Sequence, residues 1–81
     1  MKDVPYPVID MKATGKRIRE LRLEKGIKID DIVTFMGLSV PQAIYKWQRG
    51  DSLPSVDKLY ALSILYDTPV EEILVIQKQD Y

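Results

Sequence analysis

The chain has 81 residues, 46% of them apolar and 30% charged, with no cysteine, no histidine and a formal net charge of zero. That length holds one globular domain, which buries about 60% of the surface its unfolded form exposes. Disulfides, thiolate zinc sites and the commonest general base are excluded. No apolar run approaches the ~20 residues of a membrane span, and the opening MKDVPYPVID lacks an apolar signal core. The expectation is a cytoplasmic protein with no cofactor, no metal, no small-molecule ligand and no membrane partner. Charge is unevenly placed, however: residues 1–50 carry ten Lys/Arg and six Asp/Glu, residues 51–81 two and six. Such asymmetry points to a surface that faces a polyanion, although charges that only solvate helix faces would produce it as well.

Residues 1–12 contain Pro5 and Pro7 around Tyr6, which forbids a regular helix and favours an extended arm. Tyr6, Val8 and Ile9 are apolar enough to dock on the body of the domain. The alternative is an arm reaching into a nucleic-acid groove, for which it offers only Lys2 and Lys12 as cations. A helix is predicted over residues 13–25, with Ile18, Leu21 and Leu23 as its apolar contacts. Gly26 ends it, and Ile27 is the hydrophobic residue beyond the cap. Lys16, Arg17, Arg19, Arg22 and Lys25 make it the most basic helix.

Ile29, Ile32, Val33 and Met36 recur at i, i+3, i+4 and i+7, so a second helix is predicted over 29–36. Asp30 and Asp31 lie near the positive end of its dipole. Phe35 falls off the apolar face and is expected to pack against the arm. After a break at Gly37, Ala43, Ile44 and Trp47 define the inner face of a third helix over 40–49, closed by Gly50. Ser39-Val40-Pro41-Gln42 matches the S-x-x-Q capping box, with Pro41 in the first turn. Trp47 at helical spacing from Ile44 reads as core; a stacking platform for single strands is the alternative. Asp51-Ser52-Leu53-Pro54 is a loop and Ser55 a good N-cap for a fourth helix, to which Ile64 and Leu65 add apolar breadth. Thr68-Pro69-Val70-Glu71 is a second capping box, opening a short helix over 69–75 that covers the core with Val70, Ile73 and Leu74. Residues 76–81 form a polar tail, expected to fray.

Two short helices joined by a glycine-bearing turn spell helix-turn-helix. Further details are specific: Arg22, Lys25-Gly26, Gly37-Leu38-Ser39, the run Ala43-Ile44-Tyr45-Lys46-Trp47-Gln48-Arg49-Gly50, Leu53-Pro54-Ser55 and Pro69-Val70-Glu71-Glu72-Ile73-Leu74. Through them the chain resembles the lambda-repressor-like, Cro/C1-type (XRE) family of DNA-binding domains. The resemblance implies an all-α fold, a compact five-helix bundle with residues 1–12 as arm, 13–75 as the DNA-binding domain and 76–81 as tail. Val56, Leu59, Leu62, Ser63 and Tyr66 stand at the family's core positions. It also implies a sequence-specific binder of double-stranded DNA, a transcriptional regulator and by default a repressor, working as a homodimer at least on DNA.

In that family the third helix reads the major groove, so Pro41, Gln42, Tyr45 and Lys46 are the candidate base contacts. Gln42 carries the amide that pairs bidentately with adenine, unless the capping box consumes it, and Lys46 can donate to guanine. Tyr45 offers a hydroxyl for phosphate or a ring for a thymine methyl. Lys28, Ser39, Arg49, Ser52 and Arg22 are the candidate phosphate contacts. The sequence departs from the family pattern at several of these places. Gln48 stands where an acidic partner of Arg22 is usual, Lys28-Ile29 replace Thr-Gln, and Val33 replaces a usual alanine. Asp51 opens a loop that normally presents amides to phosphate, and Asp67 sits where glycine closes the fourth helix. The stretch from Gly37 to Ile44 is one residue longer than the usual spacing. These departures keep open a second reading, a protein-binding helix-turn-helix of the adaptor or antitoxin-like kind. An enzyme is not expected: Asp30-Asp31 and Glu71-Glu72 are adjacent pairs whose side chains diverge on a helix.

Overall fold

The structure is a computed structural model and describes residues 3–78; the expected fraying of 79–81 and the cation Lys2 lie outside them. The described chain is all-α, with helices α1 (Met11–Glu24), α2 (Ile29–Met36), α3 (Gln42–Arg49), α4 (Val56–Tyr66) and α5 (Val70–Ile73). Each supplies at least one side chain to a single core of Ile18, Leu21, Ile32, Ile44, Trp47, Leu62, Tyr66 and Ile73. Burying a side chain of this size is worth about 1.5–3 kcal/mol. Trp47 is therefore a core residue, as its spacing from Ile44 suggests.

α1 begins two residues before the expected start because Asp10 caps it. Its Oδ1 accepts the Ala13 amide at 2.9 Å, and its own amide donates to Val75 O at 2.8 Å. The Asp10 signal was legible but is overshadowed by the prolines before it. At the other end Gly26 lies in the left-handed region, and Ile27 N donates back to Arg22 O at 2.9 Å, the reverse turn that a glycine beyond the cap makes possible. Leu23 stays exposed on the outer side of α1.

Both expected capping boxes fail for one physical reason. Proline holds the N-cap position itself at Pro41 and at Pro69, so Ser39 lies two residues and Thr68 one residue too early to cap an N3 amide. Pro41 O receives the first helical bonds of α3, from Ile44 N at 3.0 Å and Tyr45 N at 3.3 Å. Thr68 Oγ1 donates instead to Tyr66 O at 2.9 Å, and Ser63 Oγ donates to Thr68 O at 2.7 Å. Asp67 takes the left-handed conformation at the end of α4, with φ 50°, in the place where glycine is usual.

The arm and the tail meet rather than lying apart. α5 stops at Ile73, because Leu74 turns extended, and Ile76 forms an antiparallel bridge with Ile9. Gln77 N donates to Val8 O at 2.8 Å. Buried Thr14 clamps this junction: its Oγ1 accepts Val75 N at 2.9 Å. Among the described residues of the arm Ile9 and Asp10 are the most drawn in, while Tyr6 is 82% and Val8 45% exposed, so neither is buried on the body of the domain as expected. Phe35 is likewise exposed on α2 rather than covered.

α1 packs most extensively on α3, and glycine permits the close approach. A Cβ on Gly15 would run into the carbonyl oxygens of Trp47 and Gln48. One on Gly50 would sit 2.7 Å from the Lys12 Cα, and φ there is +78°.

Candidate nucleic-acid interface

The candidate interface is the outer face of α3 with the turns at its two ends. α3 owes its orientation to Ile44 and Trp47, both buried, and to the Gly15 contact on its last turn. With that face fixed inward, a helix of 3.6 residues per turn must present Gln42, Tyr45, Lys46 and Arg49 to solvent. All four are exposed, and Pro41 is partly so. Because Pro41 and not Ser39 begins the helix, no side chain caps α3 and the Gln42 amide is not consumed there. Lys46 is outside every ion pair found among the described residues.

The flanks are more constrained. Arg22 bridges α1 to the end of α3: Nε donates to Gln48 Oε1 at 3.0 Å and Nη1 to Ile27 O at 3.1 Å. Gln48, standing where an acidic partner of Arg22 is usual, thus meets the guanidinium through its amide oxygen, and two of five guanidinium N–H groups are committed inward. Arg49 forms an exposed ion pair with Asp51, Nε to Oδ2 at 2.8 Å. At the start of α2 the Asp31 carboxylate accepts the Lys28 amide at 2.8 Å, so the anion that these amides attract is already supplied by the chain. Lys28 and Ser39 are exposed, and Ser52 is half-buried in the loop after α3.

Sequence reasoning missed three residues that set this geometry. Gly15 lies in mid-helix, where glycine costs about 1 kcal/mol against alanine, and that cost was the available signal of a close contact. Thr14 and Asp10 tie α1 to the tail through Val75, and those contacts, spanning some sixty residues, leave no local trace, although the Asp10 cap of Ala13 does. No pocket opens among the described residues, and no group of three or more acidic side chains there could hold a metal ion. No helix among them is long and apolar enough to cross a membrane.

A short helix seated in the core, a left-handed glycine turn and a second short helix with a polar outward face define a helix-turn-helix domain. The family model described as Helix-turn-helix matches residues 18–73, more than half of the chain. The chain belongs to this family, in its lambda-repressor-like, Cro/C1-type form. It is 36% identical over 59 residues to the HTH-type transcriptional regulator DdrOP3 of Deinococcus deserti, a match covering 73% of this chain and 45% of that protein. The chain therefore matches less than half the length of that curated relative. Among solved structures it resembles the restriction-modification controller protein C.AhdI of Aeromonas hydrophila, with TM-score 0.69 and 26% identity over 79% of this chain and 96% of the other. It also resembles the P22 c2 repressor solved in complex with synthetic operator 9T, with TM-score 0.67 and 30% identity over 75% and 91% of the two chains.

Proposed function

We propose that this chain binds double-stranded DNA sequence-specifically as the reading module of a transcriptional regulator, with α3 in the major groove. One observation carries the reading: the buried Ile44–Trp47 face forces Gln42, Tyr45 and Lys46 outward as an uncommitted polar surface. Gln42 and Lys46 supply base-edge hydrogen bonds, and Pro41 and Tyr45 supply apolar contact to thymine methyls. Lys28, Ser39 and Ser52 border the helix and hold phosphates. Arg49 joins them once phosphate competes with Asp51, and Arg22 contributes through the N–H groups it has left. The solved complex of the P22 c2 repressor with its synthetic operator supports this use of the fold.

One module reads only a few base pairs, so the regulator works as a homodimer on half-sites about 34–36 Å apart, one turn of duplex. Occlusion of polymerase then makes it a repressor. Selection of bound duplexes from a random library tests the reading. A palindromic motif with that spacing is the expected result, and no enrichment over input would overturn it. The Arg49–Asp51 pair and the Asp31 cap favour a second reading, a protein-binding adaptor, and absence of enrichment would select it.

A further inference from the structure

The turn into α3 carries an apolar side chain that the reading surface described above does not use. Because Pro41 holds the N-cap, Val40 is the residue just outside the helix and Tyr45 the fourth residue within it. That is the spacing of a hydrophobic staple, in which two side chains cover each other at a helix entry. Here both stay largely open: Val40 is 54% exposed and Tyr45 44%. Pro41, between them in sequence, is partly exposed too, so the leading end of α3 is apolar. No acidic residue stands in the first turn of α3 to turn a polyanion away.

We propose that Val40 is a specificity-determining residue that reads the C5-methyl group of thymine. The inference deepens the DNA-binding reading above and rests on it. In helix-turn-helix docking the N-terminal end of the second helix comes nearest the base edges, so Val40 enters the groove beside Gln42. A valine side chain neither donates nor accepts a hydrogen bond, and the thymine methyl is the one apolar group that base pairs present in the major groove. Set against guanine, adenine or cytosine, the same side chain would strip water from base donors and acceptors and offer them no partner. Discrimination at this position therefore has two sources, a methyl buried on the right base and a stranded polar group on each wrong one. Gln42 and Lys46 select by the hydrogen bonds they make, Val40 by those it refuses.

The longer turn fits this role. The extra residue between Gly37 and Ile44 lies ahead of the helix, since α3 begins only at Gln42 and both Ser39 and Val40 remain outside it and exposed. Ser39 is left for the phosphate chain, and Val40, next to the N-cap, for the bases.

The duplex enriched by the selection tests this when it is made in two forms, one with thymine and one with uracil, which differ only by the methyl group. The wild-type chain of 81 residues should bind the uracil form more weakly, by about fourfold for each methyl it buries. Uracil is then placed at one thymine at a time. In Val40→Ser, whose fold circular dichroism verifies, one position should lose its effect while any position read by Tyr45 keeps its own. Val40→Ile should retain every effect. Affinity lost evenly through a loosened turn cancels in these ratios, so a purely structural role for Val40 would leave every position unchanged. That result would overturn the proposal, as would equal binding of the two forms or an enriched motif without thymine, and each would leave the DNA-binding reading standing. A chain that binds no duplex at all would overturn both.

Discussion

α3 and α4 share one core and treat the solvent in opposite ways. α3 buries Ile44 and Trp47 and turns Gln42, Tyr45, Lys46 and Arg49 outward; α4 buries Leu62 and Tyr66 and turns Val56, Tyr60 and Ile64 outward. Two helices of similar inward chemistry thus offer a polar surface and an apolar one. The inward faces explain stability, and function has to be read from the outward faces, where a polar helix suits base edges and phosphates and an apolar one suits another protein surface.

This contrast can be broken first at its shared base. Leu62→Ala should cost about 2–5 kcal/mol of folding stability, the range for truncating a fully buried leucine. Tyr60→Ala, two residues away, should stay within about 0.5 kcal/mol. Urea titration of both variants measures the difference, and equal losses would show that the outer face of α4 is not free. Gly15→Ala comes next. The added methyl meets the Trp47 and Gln48 carbonyls, so α1 and α3 must separate, at about 1–3 kcal/mol. DNA affinity should fall in the surviving folded protein, because α3 no longer sits where its neighbours expect it.

Thr14→Val keeps the shape of the side chain but strands the Val75 amide, and should cost about 1–3 kcal/mol by thermal or urea unfolding. A smaller effect than at Thr14 is expected at Tyr66. Its hydroxyl donates to Ile18 O at 3.1 Å in the core, and burial pushes its pKa up to about 12, with the Arg22 charge acting the other way. A folded-state pKa above the unfolded value of about 10 means that its contribution is whole below pH 10 and is lost as pH rises towards 12. Tyr66→Phe should remove about 0.5–1.5 kcal/mol at neutral pH and flatten that part of the alkaline decline in stability.

Most of the architecture was legible because its signals are local. The i, i+3, i+4 pattern gives α2 without error, and Gly26, Gly37 and Gly50 end their helices in the left-handed conformation the sequence suggests. Expectations failed where two local signals compete or where the cause lies far along the chain. Pro41 and Pro69 displace Ser39 and Thr68 from capping, the bridge between Ile9 and Ile76 shortens α5, and Val56 is placed outside the core although the family pattern puts it inside. For the candidate interface, exposure of Gln42, Tyr45 and Lys46 followed from the inner face of α3. The Arg49–Asp51 pair and the Asp31 cap did not, because side-chain pairing on a surface depends on geometry that spacing alone leaves undetermined.

The central claim is that the outward face of α3 engages duplex DNA, and affinity for a selected duplex measured against salt concentration tests it most directly. The wild type should weaken steeply, with log affinity falling linearly in log salt. The double variant Lys46→Ala, Arg49→Ala should lose most of the affinity, about 1–3 kcal/mol for each base contact removed, and should show a slope shallower by about 1 for each phosphate contact removed. A flat salt response, with the double variant binding as well as the wild type, would contradict the account.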